Sequence, residues 1–217
     1  RQPNHHSTGA PVKKGTLVLF SCWHPNRFIL VMYALALALA VQTNSHAAET
    51  LAAPQQLAGK TLAEWGKNLT DGDLRARLVA VRTLPGFGAG ADEALLQACQ
   101  DKHAAVRFWA LTALGDRAAG NRTTFQELLK DPSLAVRTAA AYAHCRLKIT
   151  PQAFELLLTG LQHPSRGLPI FAADWLGKIG SPLATAALSS GAKHKDYHIR
   201  NACLEALQTI EHAKQTP

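Results

Sequence analysis

Aromatic residues are scarce in this chain, and no acidic residue occurs before Ala48. Phe, Trp and Tyr together make up 6% of the 217 residues, while alanine and leucine dominate the second half. A hydrophobic share of 47% is enough to build a continuous core. This composition is typical of packed helices, so we expect an all-α fold.

Cysteine is also rare, with four residues and no CxxC or CxxCH spacing. The missing spacings argue against a thioredoxin-like redox motif and a covalent haem site. Cys99, Cys145 and Cys203 lie after Ala47, and an odd number gives no closed disulfide framework. We expect each of the three to act as a compact structural residue.

The chain also lacks an apolar run long enough to cross a membrane. Phe28 to Val41 is an unbroken apolar stretch of 14 residues, whereas a transmembrane helix needs roughly 20. Arg27 precedes this stretch and the small-x-small site Ser45-His46-Ala47 follows it, which is the pattern of a secretory signal. We predict cleavage after Ala47 and a periplasmic or secreted protein with no stable membrane span; an uncleaved anchor is the alternative.

The net charge of +8 is concentrated near the N-terminus. Four of the 23 basic residues lie before Ala48 and none of the 15 acidic residues does, so half of the net charge belongs to the predicted leader. The remaining excess is ordinary for a soluble domain and does not by itself indicate a nucleic-acid partner.

Between Asp71 and Arg200 the sequence repeats itself every 30 to 32 residues. Self-similarity at this period is typical of stacked helical pairs, because no single unit can bury its apolar face alone. The repeats begin with the segments 71–77 (DGDLRAR), 101–107 (DKHAAVR), 131–137 (DPSLAVR), 163–169 (HPSRGLP) and 194–200 (HKDYHIR).

Equivalent positions of the repeats carry similar side chains. Six residues before the Asp, or the residue that replaces it, the side chain is always large and apolar, and three residues after the Arg position it is always small. The two columns are Trp65, Leu95, Phe125, Leu157, Leu188 and Ala80, Ala110, Ala140, Ala172, Cys203. With the turn signals between them, they predict an α-α superhelix (solenoid) of about five helical pairs, at roughly 60–87, 91–115, 122–147, 151–179 and 182–211. The predicted organisation is a leader (1–47), a linker (48–59), the repeat domain (60–211) and a tail (212–217).

The second and third repeats resemble HEAT repeats, above all the short type first noticed in phycobilisome lyases. The resemblance rests on the segments 101–115 and 131–141 and extends over residues 60–211. In HEAT proteins the Asp and Arg of neighbouring repeats commonly pair, so the resemblance implies a structural ladder. Its members would be Asp71, Arg77, Asp101, Arg107, Asp131, Arg137 and Arg200. Because His163 and Pro169 replace both partners in the fourth repeat, we expect an interruption there and a helix that begins near Leu168.

The order of the repeats also looks like the helical tail of some bacterial sulfatases. This looser resemblance rests on His163-Pro-Ser-Arg-Gly167 and on the closing segment 195–207. The sulfatase nucleophile motif, Cys or Ser followed by x-Pro-x-Arg, does not occur in the chain. The resemblance therefore implies an accessory module or a remnant rather than a hydrolase.

No constellation of residues predicts catalysis. His194 and His198 are four residues apart, which suits zinc, but they fall in and beside a loop, with Asp196 as the sole further candidate ligand. No serine or cysteine is placed beside an activating base. The arginine column is expected to be neutralised by aspartates, which argues against binding of nucleic acid. We predict a protein that is not an enzyme, holds no cofactor or metal and binds no nucleic acid.

The second helices of the pairs offer a surface for another protein. One and five residues after the Arg position, the sequence mixes aromatic, apolar and charged residues outside the apolar stripe. The candidate partner-binding residues are Arg82, Phe108, Tyr142, Ile170 and Asp174. Packing of Phe108 and Ile170 against a neighbouring helix is the alternative interpretation. We expect an exported scaffold that binds another protein; a lyase-like helper for a chromophore or small ligand and a sulfatase-associated module are the other hypotheses.

Overall fold

A computed structural model describes residues 53–215, in which helices follow one another in pairs. The first helices of the pairs are α1 (Leu62–Asp71), α3 (Asp92–Ala98), α5 (Arg122–Leu128), α7 (Pro151–Leu161) and α9 (Thr185–Gly191). The second helices are α2 (Leu74–Thr83), α4 (Ala104–Asp116), α6 (Leu134–Leu147), α8 (Gly167–Ile179) and α10 (Tyr197–Gln215). The predicted all-α solenoid of five pairs is confirmed.

The second helices stack side by side as one layer, and the small-residue column explains how they approach so closely. Ala80, Ala110, Ala140, Ala172 and Cys203 are all fully buried. Glycines serve the same purpose, since a methyl group on Gly177 would lie 2.9 Å from the Ala206 backbone. No helix in residues 53–215 combines the length and the apolar character needed to span a bilayer.

The residues before α1 form a small antiparallel ladder that the sequence analysis did not predict. Strand β1 (Gln56–Leu57) pairs with β2 (Lys60–Thr61), and the indole Nε1 of Trp65 donates to the Leu57 carbonyl at 2.9 Å. Residues 53–59, predicted as part of a linker, are therefore ordered against the first pair. Residues 1–52, with the predicted leader, lie outside the described residues.

Two predicted boundaries need correction. Helix α1 begins at Leu62 rather than Lys60, because Thr61 caps it: the Thr61 Oγ1 accepts from the Glu64 amide, and the Glu64 carboxylate accepts from the Thr61 amide at 2.7 Å. At the other end, α10 continues through the predicted tail to Gln215, because no glycine or proline lies between Tyr197 and Gln215. Helix α8 begins at Gly167 with Pro169 in its first turn, as expected.

Candidate functional site

The second helices form the inner, concave layer of the solenoid. The Phe108 ring on α4 lies 5.3 Å from the Phe171 ring on α8, centroid to centroid, although α6 lies between these helices. Rings from non-adjacent repeats can meet only if the layer bends toward that side. Helix α6 leaves room for them, because it presents the small residues Ala135 and Ala139 in this region.

Five aromatic side chains from α4, α6 and α8 converge on this inner layer. We call Phe108, Trp109, Tyr142, Phe171 and Trp175 the aromatic cluster. Trp175 is central: its ring stacks on Tyr142 at 5.0 Å and also contacts Phe108 at 5.8 Å and Phe171 at 5.5 Å. In a sparsely aromatic chain, this convergence makes the middle of the inner layer a stable packed unit.

Tyr142 was predicted to contact a partner, and the structure contradicts this prediction. The residue is fully buried, because Trp175 covers its ring and the Gly115 backbone approaches its edge. Its hydroxyl donates to the Asp116 Oδ1 at 2.8 Å. Burial, and then the bond to Asp116, raise the pKa of Tyr142 far above its ordinary value, so the phenol stays protonated.

A polar network continues from Tyr142 to the edge of the cluster. The same Asp116 Oδ1 accepts from the Lys178 Nζ at 2.8 Å, and Lys178 also pairs with Asp174 at 2.9 Å. Burial opposes the charge on Lys178, but the bonds to Asp116 and Asp174 outweigh it and raise the Lys178 pKa. The network thus links the second helices of three successive repeats, α4, α6 and α8.

An apolar groove of about 470 Å³ opens beside the cluster, at the N-terminal ends of α4, α6 and α8. We call it the inner groove. Phe108 and Phe171 supply its aromatic walls. The smaller lining residues and the polar loop residues are Ala104, Ala105, Ala135, Gly167, Leu168, His103, Ser133 and Ser165. His103, Ser133 and Ser165 occupy the same position in three consecutive repeats.

The other predicted partner-binding residues do not share this groove with Phe108. Ile170 and Asp174 line a separate recess of about 340 Å³ between α8 and α10. Arg82 lies on α2, with its guanidinium 4.9 Å from the centre of the Trp109 ring. The five residues predicted as one surface are thus distributed over several places, and one of them belongs to the core.

Two Arg–Asp pairs of the predicted ladder are present, and we call each pair a rung. In both, the arginine belongs to one repeat and the aspartate to the following repeat. The Nε and Nη2 of Arg107 grip Asp131 at 2.8 and 2.9 Å, and Arg77 grips Asp101 in the same way at 2.8 and 3.4 Å. The Nη1 of Arg107 also donates to the carbonyl of Asp101 in its own loop. These arginines are occupied and offer little to phosphates.

Three other predicted ladder members behave differently. Asp71 takes no part in a rung, because the ladder runs forward and no arginine precedes the first repeat in the described residues. Arg137 and Arg200 keep the Nη1 bonds to their own loops, at 2.8 Å to Asp131 and 2.9 Å to His194, but neither meets a carboxylate in residues 53–215. The predicted interruption is therefore present.

A displaced ion pair joins the fourth and fifth repeats. Arg166, in the loop before α8, donates to Asp196 at 2.7 Å, although 65% of the arginine side chain is exposed. The bond from Arg166 lowers the pKa of Asp196, with help from the His198 and Ile199 amides. Asp196 also caps α10 through these amides, and His194 accepts from the Asp196 amide. The polar groups of the loop before α10 therefore stabilise the fold through these bonds.

The three cysteines within residues 53–215 are free and buried. Burial raises the pKa of Cys99 to about 12 and that of Cys145 to about 11. Cys203 is fully buried in the small-residue column, and burial raises its pKa as well. A protonated thiol is a poor nucleophile, so these residues serve packing. Within the described part of the chain, no three or more His, Cys, Asp or Glu side chains come together as a metal site.

Sequence reasoning missed Phe171, Leu168 and Trp175. Phe171 and Trp109 occupy one column, two residues after the Arg position, which is neither of the two columns from which the partner surface was predicted. The signal was available, since two bulky aromatics in one column of a chain with 6% aromatic residues is unusual. That the rings meet across α6 could not be read from spacing, because it depends on the curvature of the layer.

Comparison with known proteins agrees with this architecture. Residues 62–143 match the family described as HEAT repeats. These residues are thus HEAT-like, and they are part of a helical repeat solenoid that extends over the described residues. No curated protein matches the sequence, so the resemblance to sulfatase tails stays a prediction.

Several solved structures have a similar arrangement of helices. They include an engineered protein, with 19% identity over 70% of this chain and 79% of the other and a TM-score of 0.46. The complex of CpcE and CpcF of phycocyanin lyase from Nostoc sp. matches at 20% identity, 72% and 77% coverage and a TM-score of 0.46. A designed armadillo repeat protein in complex with the peptide (KR)4 matches at 20% identity, 69% and 81% coverage and a TM-score of 0.42. Similarity at this level carries no argument about function.

Proposed function

We propose that this protein is an exported, non-catalytic scaffold that binds a segment of another protein in the inner groove. The observation that carries the proposal is the groove of about 470 Å³ across three consecutive second helices. Preformed apolar recesses with aromatic walls are where the anchoring side chains of a partner bind. The fold supports this role, because solenoids of stacked helices present extended concave surfaces.

The chemistry of the groove favours an extended segment with apolar side chains. Phe108, Phe171 and Leu168 would contact those side chains. His103, Ser133 and Ser165 follow one another along the groove, one per repeat, and can exchange hydrogen bonds with a peptide backbone. An apolar floor with a polar edge is the usual arrangement of a peptide-binding surface.

A groove-filling substitution tests the proposal without removing any core side chain. Ala135 lies in the first turn of α6 and lines the groove, so Ala135→Trp would occupy the space. We expect Ala135→Trp to lose the partners that the wild-type chain captures from its native envelope fraction. The matched control is Ala186→Trp on exposed α9 surface, which should capture the same partners as wild type. Equal capture by Ala135→Trp and wild type would refute binding in this groove.

A small apolar ligand is the second candidate for the same groove. Its volume of about 470 Å³ falls within the roughly 300–1,000 Å³ typical of small-molecule sites. A lyase-like helper for a chromophore would use such a site. Absorbance and native mass spectrometry of the protein from its natural source separate the two candidates, since a bound pigment adds visible absorption and a fixed small mass.

Export is the part of the proposal that rests on the leader. The apolar run from Phe28 to Val41 and the site ending at Ala47 support it. N-terminal sequencing of the protein from its native source should find Ala48 first. A mature terminus that still contains Lys13 would contradict export by cleavage.

A further inference from the structure

At each end of the described repeats, one position of the ladder has no partner among residues 53–215. Each complete rung takes an arginine from one repeat and an aspartate from the following repeat, as in Arg77–Asp101 and Arg107–Asp131. A forward ladder of this kind necessarily ends with an aspartate that has no preceding arginine and an arginine that has no following aspartate. Arg137 lacks a following aspartate because His163 replaces it, and at the two ends of the described repeats the unpaired positions are Asp71 and Arg200.

Arg200 is already held in the geometry of a rung. Its Nη1 donates to the carbonyls of His194 at 2.9 Å and Lys195 at 3.5 Å, as the Nη1 of Arg107 does to its own loop. The Nε and Nη2, which in Arg107 grip Asp131, meet no carboxylate in residues 53–215. Asp71 is exposed at the end of α1. Arg200 therefore has the geometry of a rung arginine, and Asp71 is an accessible carboxylate at the equivalent position of the first repeat.

Helix α10 also has an apolar side chain that no neighbouring repeat covers within residues 53–215. Four residues after the Arg position the side chain is fully buried in the first four repeats, as Val81, Leu111, Ala141 and Ala173, but Leu204 is 45% exposed. The face that bears this column points to the following repeat, because Gly115 and Gly177, one turn further on, abut Tyr142 and Ala206 of the next second helices. On α10 no described helix covers that face.

Helix α2 shows the opposite half of the same interface. Two residues after the Arg position the side chain faces the preceding repeat, since Trp109 meets Arg82 of α2 and Phe171 meets Phe108 of α4. The equivalent residue on α2 is Val79, and it is 47% exposed, with Leu74 at 37% on the same helix. The small β1–β2 ladder contacts Trp65 and Gly86, at the other end of the pair from Asp71.

We propose that a second copy of this chain covers these faces, so that α10 of one copy packs against α2 of the next. Arg200 of one copy grips Asp71 of the other, and Leu204 packs against Val79 and Leu74. The occupant is a second copy because one chain carries both halves, with the charges and apolar positions in the register of its own internal joints. Such a head-to-tail contact does not pair a surface with itself, so it builds an open chain or a ring of copies rather than a two-fold dimer.

Charge reversal and charge exchange on the full chain test the proposal. Sedimentation velocity over a wide range of concentrations should show wild-type self-association beyond a dimer. Asp71→Arg and Arg200→Asp alone should each weaken association at least about tenfold, because like charges then oppose each other in a desolvated contact. The double variant Asp71→Arg/Arg200→Asp restores an opposite pair at every contact and should recover association.

A leucine substitution provides a second, independent measurement. Leu204→Glu should abolish association, while Ile149→Glu, at an equally exposed leucine-sized side chain in the loop between α6 and α7, should leave it unchanged. Helical circular dichroism confirms that each variant is folded. A wild-type chain that remains monomeric, single charge variants that associate as wild type, or a double variant that fails to recover would each overturn the proposal.

Binding of the α10 face to a different protein by an otherwise monomeric chain would overturn it as well. The inner groove does not include α2 or α10, so Ala135→Trp should leave self-association unchanged. The outcome here is therefore separate from that of the proposed function.

Discussion

The joints between the first three repeats and those between the last three are built from different chemistry. Arg77–Asp101 and Arg107–Asp131 are bidentate and nearly buried, with side-chain exposures of 9% and 10% and of 13% and 4%. Between the later repeats, Arg137 meets no carboxylate within residues 53–215, and the Arg166–Asp196 pair leaves 65% of the arginine side chain exposed. The aromatic cluster and the Lys178 network instead tie α8 of the fourth repeat to α6 and α4 of the two preceding repeats.

The difference shows that a repeat can keep its helical register while the chemistry of its joints changes. A buried charge must be paired at a fixed geometry, so a rung is lost as a unit when either partner is replaced. Aromatic side chains tolerate more variation, because their contribution comes from buried area and adaptable ring contacts. The inner groove lies where the two kinds of joint meet, between Phe108 on α4 and Phe171 on α8.

Truncation of Trp175 should have the largest effect, because it removes the centre of the cluster. Trp175→Ala deletes a fully buried ring that contacts Tyr142, Phe108 and Phe171. We expect a loss of about 3–5 kcal/mol in the free energy of unfolding, measured by urea denaturation. Trp175→Phe should lower the free energy of unfolding much less, because it keeps an aromatic ring in the cluster. It also removes the buried indole Nε1, an N–H donor that has no acceptor among the described residues and is therefore unfavourable. Equal losses for both variants would contradict the packing explanation.

Arg107→Ala should have the next largest effect. It leaves the Asp131 carboxylate, 4% exposed, without its partner, and breaking a buried pair in this way costs about 3 kcal/mol or more. The matched control is Arg137→Ala, which removes only bonds to the carbonyls of Asp131 and Pro132 and should cost about 1 kcal/mol. Urea denaturation of both variants checks the comparison. If both lost the same stability, the rungs would not be what distinguishes the early joints.

The smallest expected effect concerns His144, which stands in a column where the other repeats have leucine. Burial, then the nearby Arg122, lowers the His144 pKa below its ordinary 6.5, despite a bond to the Lys148 carbonyl. The unfolded chain therefore binds a proton before the folded one does, and stability should fall as the pH decreases below about 6.5. His144→Leu should remove this pH-dependent contribution to the free energy of unfolding. Urea midpoints at pH 7.5 and 5.5 check it, and an unchanged pH dependence would contradict it.

The fold could be predicted from the sequence because the same pattern of apolar and small residues occurs in five repeats. Agreement among Trp65, Leu95, Phe125, Leu157 and Leu188 predicted one face of the first helices, and all five are buried. Pro169 predicted the start of α8 for a local steric reason. The candidate site was predicted less well. Tyr142 was placed on the surface because its column holds polar residues in other repeats, but Trp175 covers it.

The sequence by itself determined the helical pairs, their register and the identity of the ladder residues, because these depend on local spacing and on repetition. Tertiary structure alone decided which faces are covered: that Phe108 meets Phe171 across α6, that Tyr142 is buried, and that Leu204 and Val79 are exposed. The physical reason is that burial depends on the curvature of the inner layer and on whether a neighbouring repeat is present. Neither is a property of a single repeat.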